Sequence, residues 1–207
     1  MRAKECLIVG ISGGSAAGKT TVARLLAQRL GSHRPVVLEV DRYFIDHSDI
    51  PENQRIRLNY DVPEALDFDQ LAQDLASLKL GRAVPVPEYD YANHSSRPKA
   101  TLIQPSGVVI VEGILLFHSP AVSPLLGYRI FVEAQREERL RRRIERDVAY
   151  RGRTRESVIR QFNETVEPAY LEFTAPSRAE ADTTLDWNAM NYADLDAIAD
   201  RLNGLLV

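Results

Sequence analysis

Apolar positions recur along this chain in two rhythms. Cys6 to Ile11 is an unbroken apolar run, the pattern of a strand covered on both faces. After a glycine-rich turn, Val22, Leu25, Leu26 and Leu30 fall on one side of a helix from Lys19 to Leu30, and Gly31 stands where such a helix ends. Val36 to Val40 is a second short strand, ending at Asp41, and the stretch from Arg42 to Glu64 is polar and irregular, long enough to suggest function. Asp67 and Gln70 have capping-box spacing ahead of a helical stripe of Phe68, Leu71, Leu75 and Leu78, which Gly81 stops. Pro85 and Pro87 open an extended, tyrosine-rich loop to about Lys99. Val108 to Val111, followed by Glu112-Gly113, and Arg129 to Val132 supply a third and a fourth strand.

From Gln135 to about Phe173 the pattern is helical, with Leu140, Ile144 and Val148 on one face of its first part. Thr183 to Leu185 is a weaker strand, and Tyr192, Leu195, Ile198, Leu202 and Leu205 line a closing helix. Strands alternating with helices predict an α/β fold, a mostly parallel five-stranded sheet with helices on both faces. At 207 residues the chain holds one such domain, with no internal repeat or linker to divide it.

Composition narrows the function classes. With 44% hydrophobic and 27% charged residues the chain is an ordinary globular protein, and a net charge of -3 gives no overall pull toward nucleic acid or anionic membrane. Cys6 is the one cysteine, which excludes an internal disulfide and a cysteine-cluster metal site. No apolar stretch approaches the ~20 residues that span a bilayer, and Met1 to Glu5 leads directly into the first strand rather than through a signal peptide. The chain reads as cytoplasmic.

Gly13-Gly14-Ser15-Ala16-Ala17-Gly18-Lys19-Thr20 fits the phosphate-loop pattern G-x-x-x-x-G-K-[ST] at every fixed position, followed by Thr21. Glycines let the backbone curl until its N–H groups face phosphate oxygens, and the next helix offers its positive end to the same anion. Lys19 then bridges β- and γ-phosphates, and the Thr20 hydroxyl joins a Mg²⁺ shell. Two acids directly follow apolar strands, where ligands of open parallel sheets bind. Glu112 suits the metal-holding role, with Gly113 allowing close approach; Asp41 is left to accept a proton from an acceptor hydroxyl.

Nine arginines stand between Arg136 and Arg155 against four acids. Arg139, Arg143 and Arg146 repeat at one-face spacing, as expected of groups that address a local anion, and Gly152 between Arg151 and Arg153 suggests the hinge of a lid over about 136–155. About half of these arginines are expected to be only a solvated face. Without a second basic patch, a nucleic-acid reading has little support.

In this order the segments GISGGSAAGKTTVA, EVDRYF, NYDVPEALDFDQL, VPEYDYANHSSR, VIVEGILLF, IFVEAQREERLRRRIERDVAYRGRTRESVIRQ and PSRAEAD resemble the uridine kinase (uridine–cytidine kinase) family over nearly the whole chain. The resemblance implies a P-loop kinase-type three-layer sandwich with an acceptor-binding insertion over about 42–105. It implies transfer of phosphate from ATP, with GTP as an alternative donor, to the 5′-hydroxyl of uridine or cytidine in pyrimidine salvage. By the same resemblance Asp41 is the base, Asp61 and Arg143 hold the ribose hydroxyls with Gln161 nearby, and Tyr89, His94 and Arg153 read the pyrimidine. Tyr60, Tyr91 and Ile114 wall its pocket, Arg146 and Arg151 meet the ATP phosphates, and the assembly is a homo-oligomer, typically a tetramer.

The chain departs from the family pattern at Arg42, Phe44 and Val62 and by one residue near Ser95-Ser96. These departures bear on base selectivity. The motifs leave two alternatives: a kinase of another small alcohol, such as pantothenate or a sugar phosphate with Arg42 or Arg97 on the acceptor side, or a nucleotide-binding switch. No N-K-x-D motif supports the latter.

Overall fold

In a computed structural model, residues 6–55, 57–90 and 95–206 are described, with backbone alone at 52 and 97–100. Five strands form one sheet in the order β2 (Val36–Glu39), β5 (Val108–Glu112), β1 (Leu7–Ser12), β6 (Tyr128–Glu133), β7 (Thr183–Asp186). Every pairing is parallel: Leu7 lies opposite Val108, Val9 opposite Tyr128, Val36 opposite Val109 and Ile130 opposite Thr183. The apolar runs are continuous because both faces are covered. On one face α1 (Lys19–Arg29) and α5 (Tyr192–Leu205) press Val22, Leu26, Leu195, Ile198 and Leu202 onto Val9, Ile11 and Ile110. On the other, α2 (Phe68–Lys79) brings Leu71, Leu75 and Leu78 against Ile8, Val109 and Val111, joined by Leu116, Phe117 and Phe131. The buried stripe of α5 runs through Leu195, Ile198, Ala199 and Leu202; the expected stripe ends, Tyr192 and Leu205, are exposed.

Two expectations change. The tyrosine-rich segment is not a loop but an antiparallel ribbon of β3 (Val84–Asp90) and β4 (Ser95–Ile103). Pro85 and Pro87 fit there because a two-stranded ribbon leaves one side of each strand unpaired, and the register shifts between Val86 and Glu88. The long helical segment is also broken. α3 (Arg136–Tyr150) stops, Gly152 turns with φ 63°, and Thr154 caps α4 (Arg155–Gln161) by accepting from the Ser157 amide; π-type turns then carry the chain to Thr174. In α3 the expected apolar face is only partly covered, with Leu140 and Ile144 half-buried and Val148 exposed, whereas Arg139, Arg143 and Asp147 are buried. The polar face turns inward because its partners lie there.

At α2 the capping box is half made. Asp67 accepts from the Gln70 amide, but the Gln70 side chain donates forward to Asp74 Oδ1 at 2.9 Å instead of returning to the cap. Buried Asp74 also accepts from the Tyr43 hydroxyl at 2.8 Å, which pins the loop after β2 to α2. No helix among the described residues is long and apolar enough to cross a membrane.

Candidate active site

The carboxyl ends of β1, β2 and β5 converge on one point. The phosphate loop leaves β1, and its conformation depends on residues without a side chain at two places. At Gly13 (φ 147°) a β-carbon would lie 2.3 Å from the Val132 carbonyl oxygen, and at Gly18 (φ 107°) one would lie 2.4 Å from the Trp187 ring. Ala16 is held at φ 60°, a strained conformation for an alanine that marks the tight curl of the loop. Lys19 is buried and donates to the Gly14 carbonyl at 2.9 Å, so its ammonium lies over the loop. Thr21 is exposed on the first turn of α1.

Thr20 donates to Glu112 Oε1 at 2.6 Å, joining the helix start to the end of β5. This pair of hard oxygen ligands fits Mg²⁺, which is commonly held by one or two protein oxygens together with substrate phosphates. Burial pushes the Glu112 carboxyl up to about 7; Lys19 opposes the shift and Asp41 adds to it. Burial likewise holds the Lys19 ammonium below its ordinary value, while Glu112 and Asp41 pull it back up. Asp41 sits in the 3₁₀ turn Val40–Tyr43 directly beyond β2 and feels Lys19, Glu112 and Asp61.

A raised carboxyl pKa in the folded chain means that stability present below about 4.5, the unfolded value, is lost as pH rises through 7. The ligand-free protein is therefore expected to lose on the order of 3 kcal/mol from this group across that window. Glu112→Gln should remove that loss, making the variant the more stable of the two at pH 8 and not at pH 4.5, while impairing turnover. Urea denaturation at both pH values checks this; equal pH slopes for the two proteins would refute it.

Burial raises the Asp61 carboxyl above its ordinary value, partly countered by the Arg143 guanidinium, with Asp41, Lys19 and Arg146 also acting on it. Arg143 donates to Ser15 Oγ at 2.6 Å and to Gln161 Oε1 at 3.0 Å, so one guanidinium joins the phosphate loop to the end of α4. Arg153 donates to the same Gln161 oxygen. Tyr60 and Tyr89 hydrogen-bond through their hydroxyls, and burial pushes the Tyr89 phenol up. Phe44 packs edge-on to Tyr60 at 5.6 Å and against Tyr89 at 5.0 Å, which accounts for an unadorned phenyl ring at that place. Ile114 packs at the edge of the same core cluster, its carbonyl accepting from Ser12. Tyr91 and His94 lie outside the described residues.

The loop after β2 is fastened to the ribbon. Arg42 Nη1 donates to the Pro87 carbonyl at 3.2 Å, Phe44 meets Tyr89, and the Asp46 carboxylate accepts from the Ser96 amide at 2.8 Å. The ribbon that carries Tyr89 thus hangs from the segment that carries Asp41.

The arginines divide into distinct roles. Arg143, Arg146 and Arg151 surround the carboxylate of Asp147, which sequence reasoning passed over. Arg139 shares their helix face but is not offered to an anion: it pairs with Glu167 at 2.9 Å, stacks 4.0 Å above the Tyr170 ring, and backs the phosphate loop at Gly14. Arg142 clamps that loop, donating to the Ala17 carbonyl at 3.0 Å and the Trp187 carbonyl at 2.8 Å. Arg141 is a surface residue bridging Glu138 and Glu145.

A family model described as "Phosphoribulokinase / Uridine kinase family" matches residues 8–192. The uridine kinase of Chloroflexus aggregans is 40% identical over 200 residues, covering 97% of this chain and 96% of that protein. That of Vibrio cholerae is 39% identical over 206 residues, covering 98% and 97%. Among solved structures, phosphoribulokinase from Rhodobacter spheroides superposes with a TM-score of 0.65 at 18% identity, covering 89% of this chain and 71% of that one. D-glycerate 3-kinase from Cryptococcus neoformans superposes with a TM-score of 0.59 at 16% identity, covering 84% and 80%. The structural likenesses establish the fold, and the full-length sequence matches go further: this chain belongs to the phosphoribulokinase/uridine kinase family.

Proposed function

We propose that the protein phosphorylates the 5′-hydroxyl of uridine or cytidine with ATP, yielding the nucleoside monophosphate and ADP. The observation that carries this reading is the meeting of two sites on Arg143, which donates to Ser15 of the phosphate loop and to Gln161 and acts electrostatically on Asp61. A carboxylate that accepts and a guanidinium that donates are complementary to a ribose diol. With the ribose held there, Asp41 takes the proton of the acceptor hydroxyl as its oxygen bonds to the γ-phosphorus. The bond from that phosphorus to the β–γ bridging oxygen breaks, and the electron pair leaves with ADP.

Lys19 and Arg146 meet the charge on the transferred oxygens, Arg151 joins them at the phosphates, and the amides of Gly13 to Thr20 hold the donor in line. Thr20 and Glu112 would hold magnesium, which would supply positive charge to the phosphates. Tyr60, Tyr89 and Ile114 wall the base, and Arg153, steadied by Gln161, donates to its polar edge. Arg42, an acceptor-side candidate for a sugar phosphate, is instead engaged with the Pro87 carbonyl, which weighs against that alternative.

A coupled ADP-release assay with ATP, Mg²⁺ and uridine, cytidine, adenosine, thymidine, pantothenate or ribulose 5-phosphate tests the reading. Turnover is expected with uridine and cytidine. Turnover with pantothenate or ribulose 5-phosphate alone would overturn the acceptor assignment, and binding of ATP without transfer to any of them would overturn the enzyme. A cytoplasmic homo-oligomer belongs to the same reading, and light scattering of the purified chain would measure its mass.

A further inference from the structure

We propose that Asp147 is a positioning residue for phosphoryl transfer, gathering Arg143, Arg146 and Arg151 into one fan beside the phosphate loop. This rests on the reading above, in which those arginines meet the two substrates. The carboxylate is fully buried in the middle of the arginine-rich segment, four residues after Arg143, one after Arg146 and four before Arg151. On a helix, the i−4 and i+4 neighbours stack above and below one side chain. Arg146 Nε donates to Asp147 Oδ1 at 2.8 Å, Arg151 Nη1 lies 3.3 Å from the same oxygen, and Arg143 Nε lies 3.5 Å from Oδ2. The backbone of Asp147 acts as well: its carbonyl accepts from the amides of Arg151 at 3.1 Å and Arg153 at 3.2 Å, which folds the turn at Gly152 back toward Gln161.

Charge numbers separate this group from an ordinary internal ion pair. Arg139 and Glu167 match one to one and close on each other, so they offer nothing outward. With Asp61 also acting on Arg143, Asp147 is one of two anions beside three cations. It compensates its own burial while leaving a net positive charge for phosphate oxygens. Burial alone would raise its carboxyl pKa, but Arg146, Arg143 and Arg151 together hold it below the ordinary value, so it stays ionised as their counter-charge. The side chains of Arg146 and Arg151 are 37% and 28% exposed and have long, flexible stems. Untethered, they would lose rotamer freedom only on meeting ATP; tethered, they are aimed beforehand, the condition under which fixed donors accelerate a reaction. Arg146 already acts on both Lys19 and Asp61, so the tether bears on donor and acceptor sides at once.

The test is steady-state kinetics of the full chain with ATP-Mg²⁺ and uridine, alongside thermal melting, for Asp147→Asn, Asp147→Glu, Arg146→Ala and the double variant Arg146→Ala/Asp147→Asn. Asp147→Asn is expected to stay folded, lower kcat by about 10- to 100-fold, and raise either KM by no more than a few-fold, since the charge it aims is needed most in the transition state. In the double variant the two kcat losses should fail to multiply, because Asp147 acts through Arg146. If the amide variant does not fold, Asp147→Glu keeps the charge, moves it by about a methylene, and should show the same kcat loss in a folded protein. A lowered melting temperature with kcat per folded molecule unchanged, or losses that multiply, would overturn the proposal. An undiminished kcat in Arg146→Ala would instead remove the phosphate-contact reading on which it rests.

Discussion

Asp41→Asn is expected to lower turnover by about 10²-fold or more while ATP binds with nearly unchanged affinity. The asparagine keeps the shape of the side chain at the carboxyl end of β2 and loses only the capacity to take a proton. It also removes one negative charge from the neighbourhood of Lys19, Glu112 and Asp61, so ground-state attraction for ATP should not fall. Uridine affinity should change little, because Asp61 and Arg143 carry the ribose contacts in this reading. The decisive comparison is single-turnover transfer against the dissociation constant for ATP. A variant that turns over like the parent would remove Asp41 from the mechanism, and one that fails to bind ATP would make it part of the phosphate-loop architecture.

The second large effect is expected at Lys19, and its signature is different. Lys19→Ala should weaken ATP binding and also reduce turnover by about 10²-fold or more, since in the proposed reading the ammonium meets the β- and γ-oxygens both before and during transfer. The Gly14 carbonyl, which accepts from Lys19 at 2.9 Å, would lose that partner. It keeps the Ala17 amide, which donates to it at 3.1 Å, so no buried acceptor is left unsatisfied and the melting temperature should change little beside the kinetic loss. Calorimetry with a non-hydrolysable ATP analogue, combined with the kinetic assay, measures both effects. Full activity in Lys19→Ala would overturn the phosphate-loop assignment itself.

The parallel sheet was legible because β1, β5 and β6 are apolar on both faces and are followed by turn or helix signals. The polar edge strand β7, with Leu185 its one buried residue, left only a weak trace. The phosphate loop, Thr20 and Glu112 were legible because spacing and strand ends determine where those side chains arrive. The ribbon was not, since Pro85 and Pro87 argue against regular pairing in any strand with two neighbours and β3 has one. The break in the arginine-rich segment was half visible. Gly152 marked it, but helical periodicity resumes beyond Thr154 and concealed it. Sorting nine arginines by role was out of reach, because identical side chains are told apart only by partners. Glu167, which neutralises Arg139, comes 28 residues later. Asp147 did leave a trace, an acid four residues from an arginine on either side. Among so many arginines, that spacing resembled a solvated helix.

The tie from Arg42 to the Pro87 carbonyl, with Phe44 set against Tyr89, has a bearing on redesign. The β3–β4 ribbon cannot be exchanged by itself. A ribbon grafted from a kinase with another acceptor would arrive without the surface that Arg42, Phe44 and Asp46 grip, and it would tilt over a correctly placed Asp41. The transplantable unit is discontinuous: residues 41–46 together with 84–103. Chimeras that move both pieces should inherit the donor's acceptor preference, whereas those that move the ribbon alone should lose activity toward either acceptor.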